Sequence, residues 1–135
     1  MPNKKNKPSR AKRYILVAED DPGIIELFKI VLVQHGHRVI VCSHGHEVLK
    51  QVAKASPALI IMDLWLPGIQ GAELTQRLKS GRVTRSIPIL IVSAQNNLDK
   101  VVKNTQADGF LPKPFDIAEL ISTIQTLLDV KPTTS

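Results

Sequence analysis

Five short apolar runs punctuate the chain, at residues 14–18, 38–42, 59–62, 87–92 and 109–111. Each is short enough for a strand. The first, third and fourth are continuously apolar instead of alternating, which is the pattern of a parallel strand covered by helices on both faces. The segments between them carry the three-to-four spacing of amphipathic helices. The plainest is the last, where Ile117, Leu120, Ile121, Ile124, Leu127 and Leu128 make one stripe behind Asp116 and Glu119, a capping-box spacing. The first helix is marked by Asp21 as cap and Pro22 at the first helical position, with Ile24, Leu27, Phe28, Val31 and Leu32 facing inward. Weaker helical patterns cover residues 45–55, 72–79 and 97–105. Strict strand–helix alternation implies right-handed crossovers, hence an α/β fold of doubly wound type, a five-stranded parallel sheet with helices on both faces.

The length of 135 residues and a 43% hydrophobic content suit one domain with one core. The net charge of +6 invites a nucleic-acid reading until its position is considered. Lys4, Lys5, Lys7, Arg10, Lys12 and Arg13 fall in the first thirteen residues without an acid, while residues 14–135 carry 12 Lys and Arg against 12 Asp and Glu. Residues 1–12 are therefore expected to be a disordered basic tail, residues 13–130 the folded domain, and residues 131–135 a short C-terminal tail. A nucleic-acid role would have to come from that N-terminal tail alone and is not expected. The single cysteine, Cys42, lies in an apolar run as a small buried thiol and suits a reducing compartment. No apolar stretch is long enough to span a membrane, and the basic N-terminus leads into no signal-peptide core. A cytoplasmic location is expected. The histidines at 35, 37, 44 and 46 sit in polar loops without a completing cysteine or acid, so they read as loop residues and not as a zinc site.

Polar residues interrupt the apolar runs at one kind of place, the C-terminal end of a strand. The first run leads to Glu19, Asp20 and Asp21, the third to Asp63, the fourth to Ser93 and the fifth to Lys113. In an open parallel sheet these ends converge where ligands bind. Clustered carboxylates repel one another unless a cation joins them. Oxygen ligation without His or Cys suits a hard ion, and Mg²⁺ takes one or two carboxylates with waters and a phosphoryl oxygen. Asp63 would be the nucleophile toward a phosphoryl group. Asp20 is the expected direct metal ligand, Glu19 reaches the ion directly or through water, and Lys113 supplies a point charge for the phosphoryl oxygens.

The motifs Val17-Ala18-Glu19-Asp20-Asp21-Pro22, Leu59-Ile60-Ile61-Met62-Asp63-Leu64-Trp65-Leu66-Pro67-Gly68, Pro88-Ile89-Leu90-Ile91-Val92-Ser93-Ala94 and Gly109-Phe110-Leu111-Pro112-Lys113-Pro114-Phe115 resemble, in order and spacing, those of response regulator receiver domains of two-component signalling. The resemblance implies the flavodoxin-like strand order 2-1-3-4-5 and a single-domain protein similar to the chemotaxis type. It makes Asp63 the phospho-acceptor, Glu19 and Asp20 the acid pair for Mg²⁺, and the Trp65 backbone carbonyl a further metal ligand. Ser93 and Lys113, the latter before a cis proline, would take the phosphoryl oxygens. Phe110 would be the aromatic switch partner of Ser93, with a ring that favours the buried rotamer for want of a hydroxyl.

The same resemblance implies a phospho-acceptor signalling protein that catalyses only its own phosphorylation and dephosphorylation. Its phosphoryl donor would be a sensor histidine kinase or a phosphotransfer protein. It would act as a monomer or weak dimer on a downstream protein target, or as a phosphorelay intermediate. The segment from Ser93 to Lys113 is a little shorter than is common in the family, so the fourth helix is expected to be short or irregular. Trp65 beside the acceptor would either shield the acyl phosphate or lie on the surface. Two other readings compete. A pseudo-receiver would be an interaction scaffold that never carries phosphate, against which the full acid set speaks. A haloacid-dehalogenase-type phosphatase would need a second acid two residues after the nucleophile, where Trp65 stands.

Overall fold

The computed structural model describes residues 13–129, and the expected tails at 1–12 and 131–135 lie outside them. Five strands, β1 (Tyr14–Ala18), β2 (Arg38–Cys42), β3 (Leu59–Met62), β4 (Ile89–Ser93) and β5 (Gly109–Pro112), alternate with α1 (Pro22–Gln34), α2 (Gly45–Lys54), α3 (Gly71–Ser80), α4 (Leu98–Thr105) and α5 (Ile117–Asp129). All pairings are parallel and the sheet order is β2-β1-β3-β4-β5. The expected doubly wound α/β sheet is the one observed.

Every residue of β1, β3 and β4 is buried, and the reason is two-sided covering. Along β1, Leu16 and Ala18 join a core with Val48 and Val52 of α2 and Leu74 and Leu78 of α3. Ile15 and Val17 point the other way, to Phe28 and Leu32 of α1 and Leu120, Ile124 and Leu127 of α5. With both faces in a core, alternation has nothing to separate. The edge strand β2 is only partly covered and keeps a mixed pattern.

The helix starts follow local chemistry. Asp21 Oδ1 accepts from Gly23 N and Ile24 N at 2.8 and 3.2 Å, capping α1 as its position implied. At α5, Asp116 Oδ1 accepts from Ala118 N at 2.8 Å, while the Glu119 half of the capping box is not formed. Strand β4 begins at Ile89, not Ile87, because Ile87 N is spent on Thr84 O in the preceding turn and Pro88 has no donor. Helix α4 is indeed short, eight residues between left-handed Asn97 and Gln106. A structural residue that sequence reasoning passed over is Asp108, whose Oδ2 accepts from Ile89 N at 2.8 Å and from Lys79 Nζ at 2.7 Å. It ties β4 and α3 to the turn before β5.

Candidate functional site

The hydrogen-bond ladder runs past the strands and brings the predicted residues to one edge. Glu19 N donates to Cys42 O at 3.1 Å, Asp63 N to Ala18 O at 3.0 Å, and Lys113 N to Ser93 O at 3.0 Å. A carboxylate oxygen from each of Glu19, Asp20 and Asp63 lies within 4.8 Å of the others. Glu19 and Asp63 are buried, at 2% and 6% exposure, while Asp20 faces solvent. The cluster is thus buried at Glu19 and Asp63 and open to solvent at Asp20.

Lys113 balances the buried pair. Its Nζ donates to Glu19 Oε1 at 2.7 Å and to Asp63 Oδ2 at 3.3 Å. The remaining oxygens are also bonded: Glu19 Oε2 accepts from Asp20 N and Asp21 N, both at 3.1 Å, and Asp63 Oδ1 accepts from Trp65 N at 3.2 Å. Burial pushes the Glu19 carboxyl above its usual range, opposed by the Lys113 and Asp21 hydrogen bonds and reinforced by the Asp63 charge. For Lys113 burial acts downward, yet the hydrogen bond and charge of Glu19, with those of Asp63, outweigh it and hold the ammonium above its usual value. The amine is therefore charged at neutral pH. One lysine against three carboxylates leaves a negative excess, and an all-oxygen donor set with an open side fits a hard divalent cation.

Two glycines set the acceptor's position. A Cβ on Gly71 would lie 2.3 Å from Asp63 O and 2.7 Å from Leu64 Cα, and one on Gly45 would lie 2.4 Å from Ile69 O. The starts of α3 and α2 thus press directly on the two ends of the loop 63–70, an approach only glycine permits.

The other candidates are placed less uniformly. Ser93 is fully buried at the end of β4, where its Oγ is a distant acceptor for Gln95 N at 3.5 Å. The Trp65 ring is 60% exposed, so the surface alternative describes it and its link to Asp63 is the backbone amide. Phe110 departs from expectation: its ring is 42% exposed instead of buried. It pairs with Ile91 on an edge strand, and the space over Ile91 is already filled by Leu64, Leu98 and Ala107 with Val101 and Val102. The Lys113–Pro114 peptide is cis, as the resemblance implied. The histidines stay apart from the acid cluster, which contains none among the described residues; His46 lies in α2 and not in a loop, and His44 Nδ1 meets Glu47 at 3.1 Å.

The response regulator receiver domain model matches residues 15–125. The chain belongs to this family. This receiver domain is 34% identical over 116 residues to the Uncharacterized transcriptional regulatory protein YbdJ of Bacillus subtilis (strain 168), covering 85% of this chain and 50% of that protein. It spans about half the length of the curated relatives it matches first. Among solved structures it is similar to the signal receiver domain of a signal transduction histidine kinase from Syntrophus aciditrophicus, with TM-score 0.81, 31% identity and coverage of 91% and 96% of the two chains. It shares its fold with the receiver domain of the sensor histidine kinase PA1611 from Pseudomonas aeruginosa PAO1, with TM-score 0.81, 24% identity and coverage of 89% and 100%. That crystal structure has a magnesium ion coordinated in the active site cleft.

Proposed function

We propose that this receiver domain is a signalling switch phosphorylated on Asp63 in a Mg²⁺-dependent reaction. The observation that carries the reading is the convergence of the Glu19, Asp20 and Asp63 carboxylates within 4.8 Å beneath the Lys113 ammonium. Asp20 and Asp63 would hold the metal directly, with the Trp65 carbonyl as a third ligand. Glu19 would act through water, because Lys113 holds its Oε1 at 2.7 Å, against 3.3 Å to Asp63 Oδ2, and two backbone amides share its Oε2 where one reaches Asp63 Oδ1. The ion supplies neutralisation of the phosphoryl oxygens and leaves the chemistry to the side chains.

An Asp63 carboxylate oxygen attacks the phosphorus of a phosphohistidine on a sensor kinase or phosphotransfer protein. The new bond is O–P, the P–N bond breaks, and its electron pair returns to the imidazole, which takes a proton from water. Lys113, released from Asp63 Oδ2, pairs with one phosphoryl oxygen, and the Ser93 hydroxyl donates to another. Drawing Ser93 and its loop toward the site opens room under α4 for the Phe110 ring, which now stands partly in solvent. The altered α4–β5–α5 face is then read by a downstream protein, or the phosphoryl group is passed on. The domain turns over only its own phosphoryl group.

The test uses the only tryptophan. Fluorescence of Trp65 should change on adding Mg²⁺ and again with beryllofluoride, and acetyl phosphate should add one phosphate to Asp63 by mass spectrometry. In Asp63→Ala both responses to the phosphoryl analogue and donor should vanish. A flat response together with an unmodified Asp63 in the parent would replace this reading with the scaffold.

A further inference from the structure

The formal charges of residues 13–129 cancel in sum but are segregated along the strand direction. At the edge where strands end stand Glu19, Asp20 and Asp63, and helices that begin there carry Glu47, Glu73, Asp99 and Glu119 in their first turns. The opposite edge, where strands begin and helices finish, is basic. Arg13 precedes β1, Arg38 opens β2 opposite Tyr14, Lys54 closes α2, Lys103 sits in the last turn of α4, and Arg82 and Arg85 lie between α3 and β4. All six are at least partly exposed. Among the described residues the acids at this edge are Asp108 and Asp129, and Asp108 is already bound to Lys79 at 2.7 Å. Complementing helix dipoles accounts for Lys54 and Lys103. It does not account for the four arginines, which lie outside the helices.

A second observation lies in the same place. Val83, between Arg82 and Arg85, is 83% exposed. Its turn is firmly bonded: Thr84 Oγ1 donates to Leu78 O at 2.6 Å, Arg85 N to Gly81 O at 2.9 Å, and Lys79 Nζ to Arg85 O at 3.0 Å. The aliphatic side chain is thus held in water by a turn with fixed hydrogen bonds.

We propose that this basic edge docks on an anionic phospholipid bilayer, with the arginines against headgroup phosphates and Val83 entering the interface. Guanidinium groups pair with phosphate oxygens through two parallel N–H donors, and juxtamembrane basic clusters are drawn to anionic leaflets. Val83 is what favours a bilayer over a nucleic acid. An aliphatic group gains from a lipid interface and nothing from a phosphate backbone, and the exposed aromatics among the described residues, Trp65 after β3 and Phe110 in β5, lie outside the segments that carry the six basic residues. The acidic edge is repelled by the same surface, so the bound domain presents Asp63 to solution, where protein partners reach it.

Flotation of the full chain with phosphatidylcholine vesicles, with and without phosphatidylglycerol, tests this. Binding is expected only with the anionic lipid and should be lost at high salt, where screening shortens the reach of the field. Arg82→Glu with Arg85→Glu should weaken binding by about tenfold or more, since each basic residue near an anionic leaflet counts for most of a factor of ten. Val83→Ser should weaken it several-fold at unchanged charge, and both variants should keep the parent's unfolding temperature and Asp63 labelling by acetyl phosphate. Equal binding to vesicles without anionic lipid, no binding to either, or undiminished binding by the arginine variant would overturn the proposal. So would tighter binding to duplex DNA than to vesicles at matched phosphate concentration.

Discussion

Lys113 Nζ lies 2.7 Å from Glu19 Oε1, and the two side chains keep only 17% and 3% of their surface in solvent. This ion pair neutralises part of the acid cluster and leaves the rest of its charge to a divalent cation. Removing the amine leaves Glu19 buried beside Asp63 with no counter-charge, and an uncompensated buried charge costs more than the pair contributed. Lys113→Ala should therefore lose about 1–3 kcal/mol of stability without metal, less than the roughly 3–5 kcal/mol of a fully buried pair because Lys113 is partly exposed. Mg²⁺ should restore more stability to the variant than it adds to the parent, by binding the folded state alone. Thermal unfolding with and without Mg²⁺ measures both, and an equal metal-induced shift in the two proteins would show that Lys113 is not the resident counter-ion.

The exposed Trp65 ring leads to a different expectation. A side chain 60% in solvent holds little of the fold together, and its tie to Asp63 Oδ1 is through the backbone amide, which any residue supplies. Trp65→Ala should change stability by less than about 0.5 kcal/mol and leave the dephosphorylation rate near that of the parent. Following loss of phosphate from labelled protein after donor removal checks this. Markedly faster loss in the variant would mean that the ring folds over the acyl phosphate once it forms.

The sheet and the acid cluster were legible in sequence for one shared reason. Burial on both faces erases alternation in β1, β3 and β4, so the polar residue that ends each run stands out as the edge of the sheet. The signal fails where covering is partial. Phe110 is apolar and follows a strand period, but its place on an edge strand beneath an eight-residue α4 leaves the ring half in water, and periodicity carries no information about how far a helix reaches. Lys113 could be foreseen as a cation near the acids but not as Glu19's partner, since that pairing spans 94 residues of chain. Charge behaved similarly: the balanced sum over residues 14–135 was correct, while its separation into an acidic and a basic edge required the topology.

Close backbone approach gives a prediction that separates contact from conformation. A methyl group on Gly71 would meet Asp63 O at 2.3 Å, whereas one on Gly36 meets nothing within 4 Å but must adopt φ +83°. Gly36→Ala should cost only the left-handed penalty, about 1–2 kcal/mol. Gly71→Ala must displace backbone and should cost about 3 kcal/mol or more. Because the displaced backbone belongs to Asp63, acetyl-phosphate labelling should fall in Gly71→Ala even below its unfolding temperature and stay at the parent level in Gly36→Ala. Denaturant titration alongside labelling separates the two effects, and an undiminished rate in folded Gly71→Ala would show that the acceptor tolerates the shift.

Cys42 closes β2 with 4% exposure, and burial, aided by the Glu47 charge, pushes its thiol up from 9.0 to about 11. The thiolate is the reactive form, so at pH 8 about one molecule in a thousand carries it. Burial adds a second barrier, because a reagent must wait for the strand edge to open. Ellman's reagent should therefore label native protein at pH 8 at least about a hundred times more slowly than protein unfolded in denaturant. Between pH 8 and 10 the native rate should climb about tenfold per unit, following the thiolate fraction below its pKa. A native rate that levels off near pH 9 would mean that Cys42 titrates as an exposed thiol and that the end of β2 is open.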